Sequence, residues 1–426
     1  MAGVPANIAG PDGQTPQVNE HPAIRWIEAG TERSARWRSE KGTSAHKRVV
    51  IADELMTADA AYRLACEGMA LLWRGDFQNA RQMLQAMARR ADEKKRRARK
   101  SAPSATPPST ARVPDAGDIP KLTSVAFHRH RLAQAQRART LGMLLLPLTG
   151  DYRIPLRRAP DLQHAIEEAY GPPSSDPPEG DSLVSMREVL GLIGAHEWRK
   201  NGVDVLSLKG RIHPHYGVFA PVRGEYVGLL ADAPLPSPVN SPSCTDCNAS
   251  AFDVGTGTGV LAAVLARRGL EKIIATDMDP RALACARDNF ARLEVAPQVE
   301  LVQADLFPDG RAPLIVCNPP WIPARPSSPL ENAIFDPDSR MLRGFLSGLA
   351  THLVPGGEGW LILSDIAEHL GLRTRAQLLA YFEQGGLAVI DRLDARPSHP
   401  RVFDSLDPLH AARAAEVTSL WRLRAV

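Results

Sequence analysis

Four short stretches between residues 252 and 321 carry residue types that can hold a ligand and act on it. The last of them, Asn318-Pro319-Pro320-Trp321, follows an apolar run from Pro313 to Cys317 that is typical of a buried parallel strand. Two consecutive prolines fix φ and remove two backbone donors, and Asn318 adds a side-chain carbonyl acceptor. Rigid acceptors of this kind can bind both hydrogens of a planar amino group and aim its nitrogen lone pair at an electrophile. Trp321 offers a flat face on which a base or an amide can stack.

The first stretch predicts a ligand-binding turn between a strand and a helix. A strand is predicted over Ser250 to Val254, and a helix over Val260 to Arg268. Three glycines lie between them at alternate positions: Gly255, Gly257 and Gly259. Glycine allows a positive φ and a close approach of the backbone to a ligand. The free N–H groups at the start of the helix favour a carboxylate-like group there.

Two further strand ends carry polar groups suited to a nucleoside. Asp277 follows a strand predicted from Lys272 to Ala275 and can accept hydrogen bonds from both ribose hydroxyls. Asp305 follows a strand over Val299 to Val302; it can accept from an adenine amino group, or it can simply cap the next element. Phe307 can pack on the adenine ring.

The spacing of these residues separates two possible cofactors. A dinucleotide site has the pattern G-x-G-x-x-G, whereas this chain has G-x-G-x-G preceded by Asp253. A carboxylate beside the loop repels a pyrophosphate but suits a zwitterion that carries an amino group. We therefore predict S-adenosylmethionine, with Asp253, the three glycines, Asp277, Asp305, Phe307 and Asn318 as its binding residues.

Together these motifs resemble the class I S-adenosylmethionine-dependent methyltransferases. Within that class the chain is similar to the small-domain N-methyltransferases, which include the release-factor glutamine enzymes and the ribosomal RNA guanine-N2 enzymes. The similarity extends from Gly217-Val218-Phe219-Ala220-Pro221 to Pro355-Gly356-Gly357-Glu358, and it covers about the last half of the chain. It implies an α/β, Rossmann-like sheet of seven strands whose last strand is antiparallel. It also implies N-methylation, with Asn318, Pro319, Pro320 and Trp321 as the catalytic residues.

The predicted methyl acceptor is a planar amino group of a macromolecule, with an exocyclic base amine in RNA favoured over protein. The glutamine enzymes usually carry tyrosine after the two prolines, whereas Trp321 gives a larger stacking face that suits a purine. Basic residues recur from Arg89 to Lys100 and from Arg129 to Arg139, where they can follow backbone phosphates. Two alternatives stay open: N-methylation of a glutamine amide in a translation protein, and an inactive module that binds S-adenosylmethionine or RNA.

Length and charge predict two domains and a cytoplasmic location. The chain has 426 residues, 23% of them charged, and a net charge of +3. Through residue 180 there are 27 lysines and arginines against 20 acids, so the positive surplus lies before the predicted catalytic domain. No apolar run reaches the ~18–20 residues that a membrane helix needs, and the start does not have the pattern of a signal peptide.

Composition shifts along the chain predict four segments. Residues 1–50 form a flexible extension, and residues 51–180 form a mainly helical basic domain for substrate recognition, with a linker at 101–118. Residues 183–243 contain a helix, short strands and a Pro-rich connector, and residues 248–426 form the methyltransferase domain. In the second segment, Thr57 is predicted to cap a helix that runs to Trp73. The Pro-rich segment 322–337 is predicted to be a mobile lid over the target group.

The cysteines do not predict a metal site. Cys244 and Cys247 form a single C-x-x-C in the Pro/Ser-rich connector, and a zinc ion would need two more ligands, for which His213 and His215 are the nearest candidates. Five cysteines in a chain of this length fit a reducing compartment.

Overall fold

The computed structural model describes residues 22–101, 119–173, 180–240, 250–326, 329–397 and 407–426. Two large sheets organise these residues, one built from strands between 23 and 185 and the other from strands after residue 250. Within the described residues, no helix is long and apolar enough to span a bilayer. Cys244, Cys247, most of the predicted linker and the side chains of residues 94–101 lie outside this description.

The N-terminal sheet has six strands: β1 (Ala23–Glu28), β2 (Thr31–Arg38), β3 (Val49–Ala52), β4 (Ala70–Trp73), β5 (Leu144–Leu148) and β6 (Ser182–Ser185). Their order is β1-β2-β6-β5-β4-β3. Strands β3, β4 and β5 are parallel, and β6 is antiparallel to β5. The helices around this sheet are α1 (Ala58–Cys66), α2 (Phe77–Ser101), α3 (Ile119–Leu141), α4 (Gln163–Tyr170) and α5 (Met186–Asn201).

This sheet corrects the prediction of a mainly helical N-terminal domain. The region is rich in helix, but its core is a sheet that the sequence analysis missed. Thr57 does cap a helix, since its side chain accepts from the Ala60 N–H, but the helix ends at Cys66. The run from Ala70 to Trp73 is a buried strand instead. The predicted boundaries also change, because β1 and β2 come from the expected flexible extension 1–50 and β6 spans the start of the segment predicted over 183–243.

A short connecting region joins the two sheets. It contains the antiparallel strands β7 (Val203–Val205) and β8 (Gly210–Ile212), followed by the helix α6 (Glu225–Asp232). The short strands predicted within residues 183–243 correspond to these two strands. Helix α6 packs its buried face against the C-terminal domain.

The C-terminal sheet has the seven strands that the resemblance implied: β9 (Ala251–Val254), β10 (Ile273–Asp277), β11 (Val299–Gln303), β12 (Ala312–Cys317), β13 (Leu353–Ser364), β14 (Leu387–Ala395) and β15 (Thr418–Ala425). Their order is β11-β10-β9-β12-β13-β15-β14. Strand β15 runs antiparallel to both of its neighbours, β13 and β14, as expected for the last strand. Its helices are α7 (Val260–Arg267), α8 (Pro280–Arg292), α9 (Arg340–His352), α10 (Ile366–His369), α11 (Arg375–Gln384) and α12 (His410–Ala415).

Helix α3 attaches the N-terminal unit to the C-terminal domain. Phe127 on this helix is buried in an apolar cluster with Ile366, Leu370 and Leu409 of the C-terminal domain. A polar contact lies elsewhere along the same boundary, where Arg199 of α5 donates to the Asp288 carboxylate at 3.3 Å. The two units are therefore in direct contact beside the carboxyl ends of the C-terminal strands.

Candidate active site

The carboxyl ends of three neighbouring parallel strands bring the predicted site residues together. Strand β9 lies between β10 and β12, so the glycine turn, Asp277 and Asn318 follow adjacent strands at one edge of the sheet. Ligands of open α/β sheets bind at this edge. A cavity of about 1300 Å³ lies there and is lined by all three elements. Typical ligand pockets hold roughly 300–1,000 Å³, so this cavity has room for more than one ligand.

The glycine turn adopts the backbone that its spacing predicted. Gly255, Gly257 and Gly259 all have positive φ, of 75°, 55° and 82°. A Cβ at Gly255 would come within 2.5 Å of Met341, and one at Gly259 within 2.5 Å of Phe290. A Cβ at Gly257 would meet nothing within 4 Å, because this glycine faces open space. The turn is thus packed on two sides and open at its centre.

Asp253 lies beneath the turn rather than in the cavity wall. Its carboxylate is fully buried and accepts hydrogen bonds from the Thr256 hydroxyl at 2.7 Å and from the Ala262 N–H at 3.1 Å. Burial raises the pKa of this carboxyl to about 6. These contacts tie the turn to the first turn of α7. Asp253 thus holds the loop, and its predicted part in binding a cofactor with an amino group stays a prediction.

Asp277 faces the cavity from the end of β10. One carboxylate oxygen accepts from the Gly257 N–H at 3.0 Å and the other from the Asp279 N–H at 2.9 Å. Burial raises the pKa of this carboxyl. Since each carboxylate oxygen has further lone pairs, the group can still accept from a ligand. Contact between Asp277 and a ribose stays a prediction.

The third strand end differs from the prediction. Asp305 lines the cavity but forms an ion pair with Arg340 at 2.5 Å. Phe307 turns away from the cavity and stacks on His352, with ring centroids 4.2 Å apart and 6° between the planes. The neighbouring Leu306 lines the cavity instead, with a φ of 84° that is unusual for a side chain of this kind. The structure thus separates Phe307 from the predicted adenine site.

Asn318 and Trp321 form a closed hydrogen-bonded turn. The indole Nε1 of Trp321 donates to the Asn318 side-chain oxygen at 2.8 Å. Both residues line the cavity together with Pro319 and Pro320. An amide oxygen has two lone pairs, so one remains for a ligand while the indole holds the group in place.

A charged network packs against the indole. The Arg223 guanidinium lies over the Trp321 ring, 5.1 Å from its centroid. Arg223 also donates to Glu416 at 3.0 Å and to Glu225 at 2.7 Å. The Glu416 carboxylate accepts from the Ser364 hydroxyl at 2.6 Å. Sequence reasoning missed this network, because Arg223 and Glu416 are far apart in the chain and neither belongs to a local motif.

The segment after Trp321 is closed on itself and tied to α3. The Ile322 N–H donates to the Ile334 carbonyl at 3.2 Å, and an isolated bridge pairs Ile322 with Phe335. Arg131 on α3 lies 4.0 Å from the Phe335 ring centroid and donates to Glu331 at 3.1 Å. It also donates to the Arg325 carbonyl at 2.8 Å. The predicted lid is thus held by the N-terminal unit.

The described residues contain no cluster of three or more His, Cys, Asp or Glu with metal-binding geometry. His213 and His215 are engaged elsewhere: the His213 ring is 2.7 Å from the Arg199 carbonyl, and the His215 ring contacts Asp288. Cys66, Cys285 and Cys317 are free thiols.

Part of the chain is similar in sequence to known methyltransferases. The family model described as ribosomal protein L11 methyltransferase (PrmA) matches residues 243–330. A release factor glutamine methyltransferase of Cereibacter sphaeroides is 36% identical over 162 residues, which cover 35% of this chain and 57% of the relative. A ribosomal protein L11 methyltransferase of Pelotomaculum thermopropionicum is 37% identical over 144 residues, covering 33% and 39%. The chain therefore spans only about half the length of these relatives.

Two further similarities accompany them. A putative protein N5-glutamine methyltransferase of Methanocaldococcus jannaschii is 29% identical over 38% of this chain and 80% of the relative. The crystal structure of a ribosomal protein L11 methylase from Lactobacillus delbrueckii aligns with 41% of this chain and 70% of its own, at 19% identity and a TM-score of 0.29. The sequence matches confirm the predicted resemblance to class I S-adenosylmethionine-dependent methyltransferases, and with it the predicted cofactor.

Proposed function

We propose that this class I S-adenosylmethionine-dependent methyltransferase methylates the side-chain amide nitrogen of a glutamine in a protein. The observation that carries the proposal is the Asn318 amide oxygen, which Trp321 holds at the cavity wall with one lone pair free. The relatives that match this part of the chain include two named as glutamine methyltransferases.

The residues around the cavity suit S-adenosylmethionine. The open face of Gly257 and the free lone pairs of Asp277 lie side by side, since the Gly257 N–H donates to that carboxylate. The glycine turn would bind the methionine part, and Asp277 would bind the ribose. When bound, this cofactor supplies a methyl group on a positively charged sulfur and leaves as the neutral thioether.

Asn318 would prepare the amide for attack. Its side-chain oxygen would accept an N–H of the target –NH₂ group, and a backbone carbonyl of the Pro-Pro turn would accept the other. Hydrogen bonds to both N–H groups draw the nitrogen lone pair out of conjugation with the carbonyl. The nitrogen then forms one new N–C bond, and one amide proton leaves to water. Positioning of this kind contributes roughly 7–11 kcal/mol for well-oriented reactants.

Three observations argue against the RNA acceptor predicted from the sequence. Arg223 lies over the Trp321 ring, so less of that ring is available to a base. In the second basic segment, Arg131 is paired with Glu331 and Arg137 with Asp92, so their charges are already compensated. The curated relatives are named for protein substrates.

The acceptor residue can be identified directly. Native cell extract is incubated with the purified protein and S-adenosylmethionine carrying a ¹³C,²H₃-methyl group, and labelled peptides are mapped by mass spectrometry. We expect the label on glutamine side chains. Label confined to lysine or to amino termini would refute the glutamine assignment while leaving protein methylation in place.

A further inference from the structure

The active-site cavity continues past the cofactor loop and ends at the N-terminal unit. Its far wall includes two cationic side chains, Lys41 from the segment after β2 and Arg187 from the first turn of α5. Neither belongs to the motifs that bind cofactor or target amide. They come from a part of the chain to which the sequence motifs assign no role.

Local contacts bring these two cations to one place. The backbone N–H of Glu40 donates to the Glu188 carboxylate at 3.0 Å, so the residues that precede Lys41 and follow Arg187 are hydrogen-bonded to each other. Lys41 and Arg187 both line the cavity and are exposed to solvent. Within the described part of the chain, neither of them forms an ion pair or a hydrogen bond.

The acids around this pair are engaged with other partners. Each makes a specific contact elsewhere: Glu188 accepts from the Tyr170 hydroxyl at 2.6 Å, Glu40 pairs with Arg281 at 3.4 Å, and Glu331 pairs with Arg131 at 3.1 Å. The donors to Glu188 are neutral, so this acid keeps its negative charge, and the four cations Lys41, Arg187, Arg281 and Arg131 exceed the three acids by one positive charge at this end of the cavity. Two like charges this close repel each other, and an anion between them would remove that cost.

The pKa shifts of Lys41 and Arg187 agree with their closeness to each other at the cavity. Partial burial lowers the pKa of the Lys41 ammonium, the nearby Arg187 charge lowers it further, and the charges of Glu188 and Glu331 oppose this shift. Burial likewise lowers the pKa of Arg187. A bound anion would raise the pKa of both side chains again, because an opposite charge favours the protonated form.

We propose that Lys41 and Arg187 bind a carboxylate of the acceptor polypeptide, so that the N-terminal unit selects glutamines with an acidic residue nearby. The inference rests on the proposed function, since it takes the acceptor to be a polypeptide. A carboxylate fits a site with one planar guanidinium and one ammonium. The cofactor's own carboxylate is the other source of this chemistry, and the experiment separates the two.

The test uses a library of acetylated peptide amides with a central glutamine and randomised flanking positions. The library is incubated with S-adenosylmethionine and either the wild-type protein or the double variant Lys41→Gln/Arg187→Gln, and methylated peptides are sequenced by mass spectrometry. We expect wild type to enrich Asp and Glu at one flanking position by roughly tenfold, the ratio that about 1.4 kcal/mol gives. The double variant should methylate the library without this enrichment, and S-adenosylhomocysteine affinity should stay within twofold of wild type.

A matched control replaces two exposed cations of the same unit that do not line the cavity, in Lys47→Gln/Arg33→Gln, and should keep the acidic enrichment. Equal enrichment in wild type and the Lys41/Arg187 variant, or no enrichment in either, would overturn the inference but not the proposed function. A tenfold loss of S-adenosylhomocysteine affinity in the variant would assign the pair to the cofactor and overturn it too. If no glutamine in the library is methylated by wild type, the proposed function fails and the inference fails with it.

Discussion

The indole N–H of Trp321 donates to the side-chain oxygen of Asn318 across 2.8 Å. Trp321, the residue after the two prolines, therefore holds in place the side-chain oxygen that we propose accepts a hydrogen bond from the target amide. Trp321 is half-buried, and Arg223 lies over its ring. Its position is thus set by the protein, and its N–H in turn sets the orientation of the Asn318 amide group.

Replacing Trp321 with phenylalanine tests this support. The variant Trp321→Phe keeps an aromatic ring over which Arg223 can lie but removes the donor to Asn318. A hydrogen bond of this type contributes about 1 kcal/mol, so we expect turnover to fall roughly fivefold, with cofactor affinity unchanged. The exposed Trp198 provides the control, since Trp198→Phe should leave both quantities as they are. Normal turnover in Trp321→Phe would mean that the hydrogen bond from Trp321 is not needed to orient the Asn318 side chain.

Asp277 is expected to control cofactor affinity. Its carboxylate holds the Gly257 and Asp279 N–H groups and faces the cavity. Hydrogen bonds to a charged group contribute about 1.5–3 kcal/mol each. We therefore expect Asp277→Ala to weaken S-adenosylmethionine binding by at least ~10-fold in calorimetry, whereas Asp309→Ala, at an exposed turn, should bind normally. An unchanged affinity in a folded Asp277→Ala protein would remove this residue from the cofactor site.

Asp253 makes the stability of the ligand-free protein depend on pH. Its pKa is about 6 in the folded protein against an ordinary value of 3.8. Between these values the folded state keeps a proton that the unfolded state has lost, so this group's contribution to stability is largest below about pH 4 and falls as pH rises through about 6. The fall amounts to at most about 3 kcal/mol, at 1.36 kcal/mol per pKa unit.

The variant Asp253→Asn removes this titration. Urea unfolding at pH 4, 5.5 and 7 should show the wild-type protein losing stability relative to Asp253→Asn as pH rises. Asp309→Asn, the same substitution at an exposed position, is the matched control. A stability difference between wild type and Asp253→Asn that is independent of pH would contradict the raised pKa.

Arg131 is expected to hold the segment that follows the catalytic turn. It contacts Glu331, the Arg325 carbonyl and the Phe335 ring from the other structural unit. A cation–π contact contributes about 0.5–1 kcal/mol at an exposed site, and the partly exposed ion pair adds a similar amount. In Arg131→Ala, hydrogen–deuterium exchange at the Ile334 and Phe335 amides should accelerate roughly tenfold.

The neighbouring exposed Arg129 gives a control on the same helix. Arg129→Ala should exchange like wild type at these amides. Equal exchange in all three proteins would show that the segment is held without the N-terminal unit.

The C-terminal half could be predicted because its signals are local. Apolar runs that end in a polar residue located β9 and β12 to within a residue or two of the observed strands. The glycine spacing predicted the positive φ at Gly255, Gly257 and Gly259, because few other residues tolerate that backbone. The positions of Asp277 and Asn318 followed from the strands that precede them.

The N-terminal sheet could not be predicted in the same way. The run from Ala70 to Trp73 is apolar throughout, and such a run fits a buried strand and a buried helix end equally well. It is a strand because β3 and β5 pair with it on either side. Both partners lie well away from it in the chain, at residues 49–52 and 144–148. Pairing over long separations leaves no periodicity that a local pattern could reveal.

The parts of the site that the sequence did not predict also depend on contacts between residues that are distant in the chain. Arg223 reaches Trp321 and Glu416 only after the sheet has formed. Phe307 was assigned to the cofactor from its place after a strand, but stacking on Phe345 and His352 of α9 proved to be its environment. Tertiary contacts decided both cases.

The most direct measurement is a methyl-transfer assay that offers native protein extract and total RNA side by side with labelled S-adenosylmethionine. Wild type and Asn318→Ala are compared after calorimetry has confirmed equal cofactor affinity. We predict label in the protein fraction, recovered as methylated glutamine, and its loss by at least ~100-fold in Asn318→Ala. Label confined to RNA, or undiminished transfer by Asn318→Ala, would contradict the account.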